Sequence, residues 1–293
     1  LGLPSPNCLE QVEEYLPTVE VLDISGNDLS SIDLSLLEDA TSLRSLDLSG
    51  NELTELNTGP LAADLQLEEL DLSGNRLEAV ELYPLNKTLT MSRLDLSNNL
   101  LAAIDLVPLS GTPLTSLDLS ANPIADIDIS PLATCPTLQR LNLSHLNLTD
   151  IDLDPLWSLV MLITLDLSNN ALSELHLTGL TNAHQLAVLD LSRNSLDTLN
   201  LTPLQTTTAL KELYLSDNML SSLDFSLLGY LSELKHLDLS GNALSDFSLA
   251  VCSGMEHLSY IDLSDNEIDV LDFTTLLERE RQLTLNLSGN DLT

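Results

Sequence analysis

The sequence predicts an α/β-type solenoid, in which short parallel strands stack into a sheet and the chain returns through short extended, 3₁₀ or helical turns. The phrase Leu-x-x-Leu-Asp-Leu-Ser-x-Asn-x-Leu recurs along the 293 residues at intervals of 24, with one interval of 23 and one of 48. Within each copy, Leu-Asp-Leu-Ser alternates with the period of two that is typical of a strand with one buried face. One such strand cannot bury its apolar face alone, but stacked copies share a continuous core. The Asn of the phrase stands at Asn27, Asn51, Asn75, Asn99, Asn122, Asn170, Asn194, Asn218, Asn242, Asn266 and Asn290.

The copies number twelve, because the double interval contains a sixth repeat with Leu146 in the Asn position. Their period and pattern resemble the leucine-rich repeat family over residues 18–293. The resemblance implies a horseshoe with a parallel sheet on its concave face and a role as a binding scaffold. The repeated Asn is expected to bond backbone groups in the turn that leaves each strand, where ladder partners are missing.

Residues 1–17 stand outside the repeats. Ser5-Pro6-Asn7 followed by Leu9, Val12, Tyr15 and Leu16 predicts a capped amphipathic helix that ends near Pro17 and covers the first strand. Residues 18–293 are expected to form a single solenoid domain. Its last repeat is incomplete, so we expect either further chain or another molecule to cover the twelfth strand.

The formal net charge of −35 is unevenly distributed. The return halves of the repeats carry 23 Asp or Glu against Lys87, Arg279 and Arg281, whereas the strand halves carry 19 acids against seven bases. Nucleic acid is excluded as a partner, because phosphates would meet a strongly negative surface. The charge indicates a solubilising surface, a partner with basic patches, or bound Ca²⁺.

Localisation is only weakly indicated. Asn-x-Ser/Thr occurs at Asn86, Asn142, Asn147, Asn200 and Asn286, close to the number that chance gives for this composition. The sequence has no apolar run of roughly 18 residues, so no membrane insertion is expected. We expect an extracellular or cell-surface protein, with a cytoplasmic location as the alternative.

Catalytic motifs are absent from the sequence. Ser recurs at the same strand position in every repeat, which is a requirement of the fold rather than the mark of a nucleophile. The five His residues share no site in the repeat register. Because no phosphate loop, His-Glu-x-x-His or paired-Cys motif is present, the protein is expected not to be an enzyme and to need no cofactor apart from a possible Ca²⁺.

One acidic cluster is a candidate metal site. Asp150, Asp152 and Asp154 alternate along the sixth return segment, and Asp126 and Asp128 occupy the preceding one. Clustered carboxylates supply part of the oxygen shell that Ca²⁺ requires. The alternative is a solvated acidic face.

Repeat six is irregular. It carries Leu146 in place of Asn, and the run from Trp157 to Met161, which includes Leu159 and Val160, is apolar where other repeats are polar. This pattern predicts either a locally enlarged core or a contact patch for a partner.

The strand face offers a second candidate contact site. An uncharged strip of strand residues includes Tyr214, which replaces an Asp of the strand row, and basic residues border the strip. Aromatic and basic side chains around apolar ones are typical of binding hot spots, although the bases could equally serve to balance the Asp rows. The residues concerned are Arg140, Ile163, Ala187, Val188, Lys211, Tyr214, Lys235 and His236, with Tyr260 further along.

These observations favour a non-enzymatic interaction scaffold at the cell surface or outside the cell. Its partner would be a protein or a glycan, bound on the concave face or at the repeat-six patch. Two alternatives remain open, a structural subunit of a larger extracellular assembly built from further copies and an intracellular regulatory adaptor.

Overall fold

A computed structural model describes residues 13–62, 66–274, 276 and 281–293 of the protein. Its contacts are concentrated in two units, Leu1–Asn147 and Leu148–Thr293. In the described part of the chain each repeat contributes one strand of three residues. The predicted solenoid of parallel strands is confirmed, and a single continuous domain over residues 18–293 stays a prediction.

The described residues of the first unit form six strands and the 3₁₀ turns that connect them. Consecutive strands pair in parallel, and each residue lies opposite its equivalent in the next repeat, as Leu46 does opposite Leu70. The strands are β1 (Val21–Asp23), β2 (Ser45–Asp47), β3 (Glu69–Asp71), β4 (Arg93–Asp95), β5 (Ser116–Asp118) and β6 (Arg140–Asn142). The 3₁₀ helices are Glu13–Thr18, Ser35–Asp39, Gly59–Ala62, Tyr83–Lys87, Val107–Leu109 and Ser130–Thr134.

The second unit repeats this arrangement. Its strands also pair in parallel with their neighbours along the chain. The strands are β7 (Thr164–Asp166), β8 (Val188–Asp190), β9 (Glu212–Tyr214), β10 (His236–Asp238), β11 (Tyr260–Asp262) and β12 (Thr284–Asn286). Among the described residues of this unit, the 3₁₀ helices are Asp154–Ser158, Thr178–Leu180, Thr202–Thr206, Phe225–Tyr230 and Leu249–Gly254.

The core of each unit is built from the leucines of the repeat. The central residue of strands β2 to β11 is buried, as at Leu70 and Leu165, while its two neighbours are partly or fully exposed. In the terminal strands β1 and β12 the central leucine is only partly buried. Apolar residues of the return segments, such as Leu109 and Leu180, close the core from the other side. Alternation along three residues therefore fixes which side chains face solvent.

The repeated Asn bonds backbone groups of the turn that leaves its strand, as predicted, and it also connects neighbouring repeats. Asn75 Nδ2 donates to the carbonyl of Leu72 in its own repeat and of Leu48 in the preceding one, each at 3.0 Å. Its Oδ1 accepts from the Leu53 N–H at 3.1 Å. One buried amide thus satisfies main-chain groups that lie outside the strand ladder.

The residue before this Asn position has a left-handed backbone in every repeat. Gly occupies it in five repeats, as at Gly74 with a φ of 63°. Elsewhere a residue with a side chain adopts the same conformation, including His145 with a φ of 53° in repeat six. The turn is therefore kept where Leu146 replaces the Asn.

The strand Asp also has a structural role, which the sequence analysis did not predict. In most repeats its Oδ1 accepts the backbone N–H of the Ser two residues later, as from Ser49 to Asp47 at 2.8 Å and from Ser168 to Asp166 at 2.9 Å. The amide oxygen of Asn142 accepts equivalently from Ser144 at 3.0 Å. The Asp-x-Ser spacing itself carries this signal, because Asp commonly caps a turn two residues ahead.

The predicted N-terminal capping helix is not confirmed. Residues 1–12 of the expected helix lie outside the described residues. Glu13–Thr18 forms a 3₁₀ helix with Pro17 inside it, and Leu16 is buried. Ser42 Oγ donates to the Pro17 carbonyl at 2.9 Å, which connects this segment to the chain just before β2.

Candidate interaction site

Three aromatic side chains lie side by side on the solvent-facing side of the sheet in the second unit. Residues Glu212, His236 and Tyr260 stand opposite one another at the first positions of β9, β10 and β11, and Tyr214 holds the third position of β9. Each of these side chains is partly exposed, because the residue between them on each strand points into the core. We call Tyr214, His236 and Tyr260 the aromatic row.

The rings of the aromatic row are in contact. The centroids of Tyr214 and His236 are 5.0 Å apart with their planes tilted by 44°, and those of His236 and Tyr260 are 4.5 Å apart and nearly parallel at 19°. Such aromatic pairs contribute about 0.5–1.5 kcal/mol each beyond the burial of their area. The row is therefore a preorganised cluster of contacting rings rather than three independent side chains.

Both tyrosine hydroxyls are held by carboxylates. Tyr214 Oη donates to Glu212 Oε2 at 2.9 Å, and Tyr260 Oη donates to Asp262 Oδ2 at 2.8 Å. Burial and the bond to Glu212 raise the pKa of Tyr214 to about 12, and the bond to Asp262 raises the pKa of Tyr260. Both rings therefore stay neutral at physiological pH and keep fixed orientations.

The surroundings of the aromatic row carry charges of both signs. Burial, together with the negative charges of Asp166 and Asp238, raises the pKa of Asp190 on β8. Lys211 and Lys235 are exposed just before β9 and β10, and neither ammonium forms a salt bridge within the described part of the chain. A ligand at the row would thus meet aromatic rings, carboxylates and available cations.

The other residues of the predicted strip are distributed over two units. Ile163 precedes β7 and Val188 begins β8, and both are partly exposed. The Ile163 carbonyl accepts from the N–H groups of Ala187 and Val188, which places these residues on neighbouring segments. Arg140 is exposed at the start of β6 in the first unit. The structure therefore brings together Tyr214 and His236 from the strip, and adds Tyr260.

The repeat-six residues separate into exposed and buried side chains. Trp157 is 60% exposed and Val160 46% exposed, whereas Leu159 and Leu146 are buried in the core. Met161 is partly buried, with its Sδ 3.2 Å from Gln185 Nε2. The prediction that Leu146 and Leu159 contact a partner is wrong, because both fill the core. The enlarged-core alternative is wrong for Trp157, and a contact role for Trp157, Val160 and Met161 stays a prediction.

The predicted Ca²⁺ cluster is not supported by the structure. Among the described residues, no group of three or more His, Cys, Asp or Glu is arranged to hold a metal ion. Asp152 Oδ1 accepts from the Asp154 N–H at 2.9 Å, Asp150 Oδ1 accepts from the Ile151 N–H, and Asp128 Oδ1 accepts from the Ser130 N–H. These carboxylates, like the exposed Asp126, are not gathered into a site, because most serve their own turns.

The sequence pattern placed Tyr260 further along the strip and did not predict its contact with His236. A signal was nevertheless present, because His236 and Tyr260 are one repeat of 24 residues apart and occupy the same strand position. Side chains at equivalent positions of neighbouring parallel strands face each other at about 4.8 Å, which is stacking distance. Tyr214 is the third residue of its strand rather than the first, so its contact with His236 is seen only from the direction of its side chain in the structure.

A stack of parallel strands that presents rows of side chains to solvent defines a repeat scaffold for interactions with other proteins. The profile of the leucine rich repeat family matches residues 17–77, 112–172, 161–220 and 208–268. The chain belongs to the leucine-rich repeat family. No curated protein sequence matches it. No described helix has the length and apolar character needed to cross a bilayer.

Several solved structures resemble the chain. The functional domain of InlJ from Listeria monocytogenes is 24% identical with a TM-score of 0.76, over 94% of this chain and 55% of that one. PEPR1-AtPEP1 is 25% identical with a TM-score of 0.79, over 98% of this chain and 43% of that one. The Toll–Spatzle complex of Drosophila is 20% identical with a TM-score of 0.70, over 92% and 40%. The chain thus spans about half the length of these structures.

Proposed function

We propose that the protein is a non-enzymatic, extracellular interaction scaffold whose second unit binds a protein partner at the aromatic row. The observation that carries this proposal is the contact of Tyr214 with His236 and of His236 with Tyr260 on an exposed sheet face. Aromatic side chains held rigidly in a partly exposed cluster provide contact area at a low cost in side-chain entropy.

The chemistry around the row favours a protein over a glycan. Both tyrosine hydroxyls are already occupied as donors to Glu212 and Asp262, so they are less available to the hydroxyl network of a sugar. The exposed ammonium groups of Lys211 and Lys235 offer charge pairing at the edge of the row. An extracellular location is supported by the resemblance to the Toll–Spatzle complex and to InlJ.

Site-specific photo-crosslinking tests the proposed face. Benzoylphenylalanine is introduced at position 214, and at position 230 as the control, since Tyr230 is exposed on a 3₁₀ helix outside the row. Each protein is irradiated with intact cells of the source organism and their medium. We expect a protein adduct from position 214. An excess of wild-type protein without benzoylphenylalanine should prevent its formation, whereas an excess of the Tyr260→Ala variant should not.

Other outcomes would reject parts of the proposal. Identical adducts from positions 214 and 230, or full competition by Tyr260→Ala, would remove the aromatic row from the interface. Binding to a glycan array that is lost in Tyr214→Ala would reassign the row to carbohydrate. Protection of the native protein from protease added to intact cells would contradict the extracellular location.

A further inference from the structure

The second unit has another exposed surface away from the aromatic row, between two consecutive 3₁₀ helices. The helices Asp154–Ser158 and Thr178–Leu180 border an open groove of about 470 Å³. We call it the Trp157 groove. Its lining residues are Asp152, Asp154, Pro155, Trp157, Thr178 and Gly179.

The groove is built by a close approach of the two segments. A Cβ atom added to Gly179 would lie 1.7 Å from the Leu153 carbonyl oxygen, so a side chain at this position would push the segments apart. The neighbouring repeats carry Pro155 and Pro203 at the equivalent position. Gly179 therefore lets the return segments of repeats six and seven approach more closely than a proline at position 179 would allow, because proline has a Cβ atom.

Trp157 is the single tryptophan of the chain, and its side chain is 60% exposed. Its backbone is nevertheless fixed, because Asn182 Nδ2 donates to the Trp157 carbonyl at 3.1 Å. A bulky apolar side chain on an ordered segment is a feature of contact surfaces rather than of solvated loops.

Carboxylates border the exposed indole. Asp154 Oδ1 accepts from Thr178 Oγ1 at 2.6 Å, and Asp152 Oδ1 accepts from the Asp154 N–H at 2.9 Å. Asp150 and His176 line a second cavity that shares Asp152, Asp154 and Thr178 with the groove. Within the described part of the chain, no Lys or Arg forms a salt bridge with these carboxylates.

We propose that the Trp157 groove binds an arginine side chain of a partner protein. A guanidinium is planar and weakly hydrated, so it can stack on the indole face and donate to a carboxylate at the same time. An anionic side chain would be repelled by Asp152 and Asp154, and a neutral apolar one would leave both carboxylates unused. A lysine ammonium could pair with a carboxylate but lacks the planar stacking surface.

The single tryptophan makes the groove directly observable. The peptide acetyl-Gly-Arg-Gly-amide is titrated into the protein while tryptophan emission is recorded at constant ionic strength. Peptides with citrulline or lysine in place of arginine are the comparison. Citrulline keeps the planar shape of arginine, but it is uncharged and has a carbonyl oxygen in place of one guanidinium NH₂ donor, whereas lysine keeps the charge without the planar group. We expect a saturable change in emission with arginine, a weaker one with lysine and none with citrulline.

Two variants with the same change in net charge separate the groove from the general acidity of the protein. Asp154→Asn should weaken arginine-peptide binding about fivefold or more, because it removes a groove carboxylate. Asp224→Asn, which changes a carboxylate on another return segment outside the groove, should leave binding unchanged. Unaltered emission of the peptide-free variants verifies that the fold around Trp157 is retained.

Three results would overturn the proposal. Equal binding by Asp154→Asn and Asp224→Asn would reduce it to nonspecific attraction. If the citrulline peptide changed the emission as much as the arginine peptide does, binding would rest on stacking alone. If the lysine peptide did so, the groove would have no preference for a guanidinium group. None of these depends on the aromatic row, so the two proposals fail or succeed separately.

Discussion

Removal of one repeated Asn side chain tests whether these amides hold the repeats together. Asn122 is buried at 2% exposure, and its Nδ2 donates to the carbonyls of Leu96, Leu119 and Ser120 at 2.9, 2.8 and 3.3 Å. Its Oδ1 accepts from the Leu101 N–H at 3.0 Å. Asn122→Ala breaks all four bonds at once.

The expected loss is large for one side chain. Each hydrogen bond contributes about 0.5–1.5 kcal/mol net, and the Leu101 N–H left buried without an acceptor costs about 1–3 kcal/mol. Since the bonds share one side chain, we expect the free energy of unfolding to fall by about 3–5 kcal/mol. Asn147→Ala is the control. Asn147 is exposed and follows Leu146, which occupies the repeated Asn position of repeat six.

Two measurements check this prediction. Urea denaturation followed by circular dichroism gives the free energy of unfolding, and hydrogen exchange reports the Leu101 amide directly. The reasoning is refuted if Asn122→Ala costs less than about 1 kcal/mol, no more than a surface substitution such as Asn147→Ala.

The wild-type protein contains an internal comparison. Leu146 fills the Asn position of repeat six, so Ile124, which corresponds to Leu101, has no side-chain acceptor for its N–H in the described part of the chain. Ile124 is itself fully buried. Its amide should exchange faster than that of Leu101 in the native protein. Equal protection of the two amides would show that the Asn side chain is dispensable.

Two further substitutions in the second unit, each compared with a control substitution, test its electrostatics and its packing. Burial and neighbouring carboxylates raise the pKa of Asp190 in the folded protein above its ordinary 3.8. The Asp190 carboxyl therefore contributes most to the free energy of unfolding below pH 3.8, where it is protonated, and this contribution is lost as the pH rises through the pKa of the folded protein. Asp190→Asn should therefore stabilise the protein at neutral pH by up to about 1 kcal/mol, with no gain in acid. The gain should be smaller at high salt but not lost, because salt screens the neighbouring charges and does not remove the cost of burial. Bonds from Ser130 lower the pKa of Asp128, so Asp128→Asn should show no such gain, and thermal melts over a range of pH compare the two. Gly179→Ala should cost about 1–3 kcal/mol of unfolding free energy because its Cβ overlaps a carbonyl oxygen, whereas Gly254→Ala, with open space around it, should cost little. Equal melting temperatures for the two glycine variants would contradict the close approach at Gly179.

The strand positions could be predicted from the sequence because their causes are local. Alternation over three residues decides that Leu165 is buried and that Thr164 and Asp166 face solvent, whatever else the chain does. A fixed period then places equivalent residues opposite one another, as Leu165 and Leu189 are. The role of Asn75 in the turn follows for the same reason, because each repeat offers it the same main-chain groups.

The return segments could be predicted only in part. The apolar run in repeat six predicted either an enlarged core or a contact patch. It did not show that Trp157 would face solvent while Leu159 would fill the core. A 3₁₀ turn of a few residues has no long hydrophobic period, so the sequence pattern does not define its faces. The expected metal cluster is not supported by the structure for a related reason, since the spacing of Asp152 and Asp154 does not reveal that a carboxylate oxygen accepts from the local backbone.

The sequence by itself determined the family, the strand register and the side of the sheet that faces solvent, since these follow from a short-range pattern repeated twelve times. Only the tertiary structure decided which exposed side chains act together. The contact of Tyr214 with His236 crosses between strands diagonally, and the Trp157 groove depends on how closely Gly179 lets two turns approach. Both depend on side-chain direction and backbone spacing between repeats, quantities that arise when the repeats pack and that no single repeat encodes.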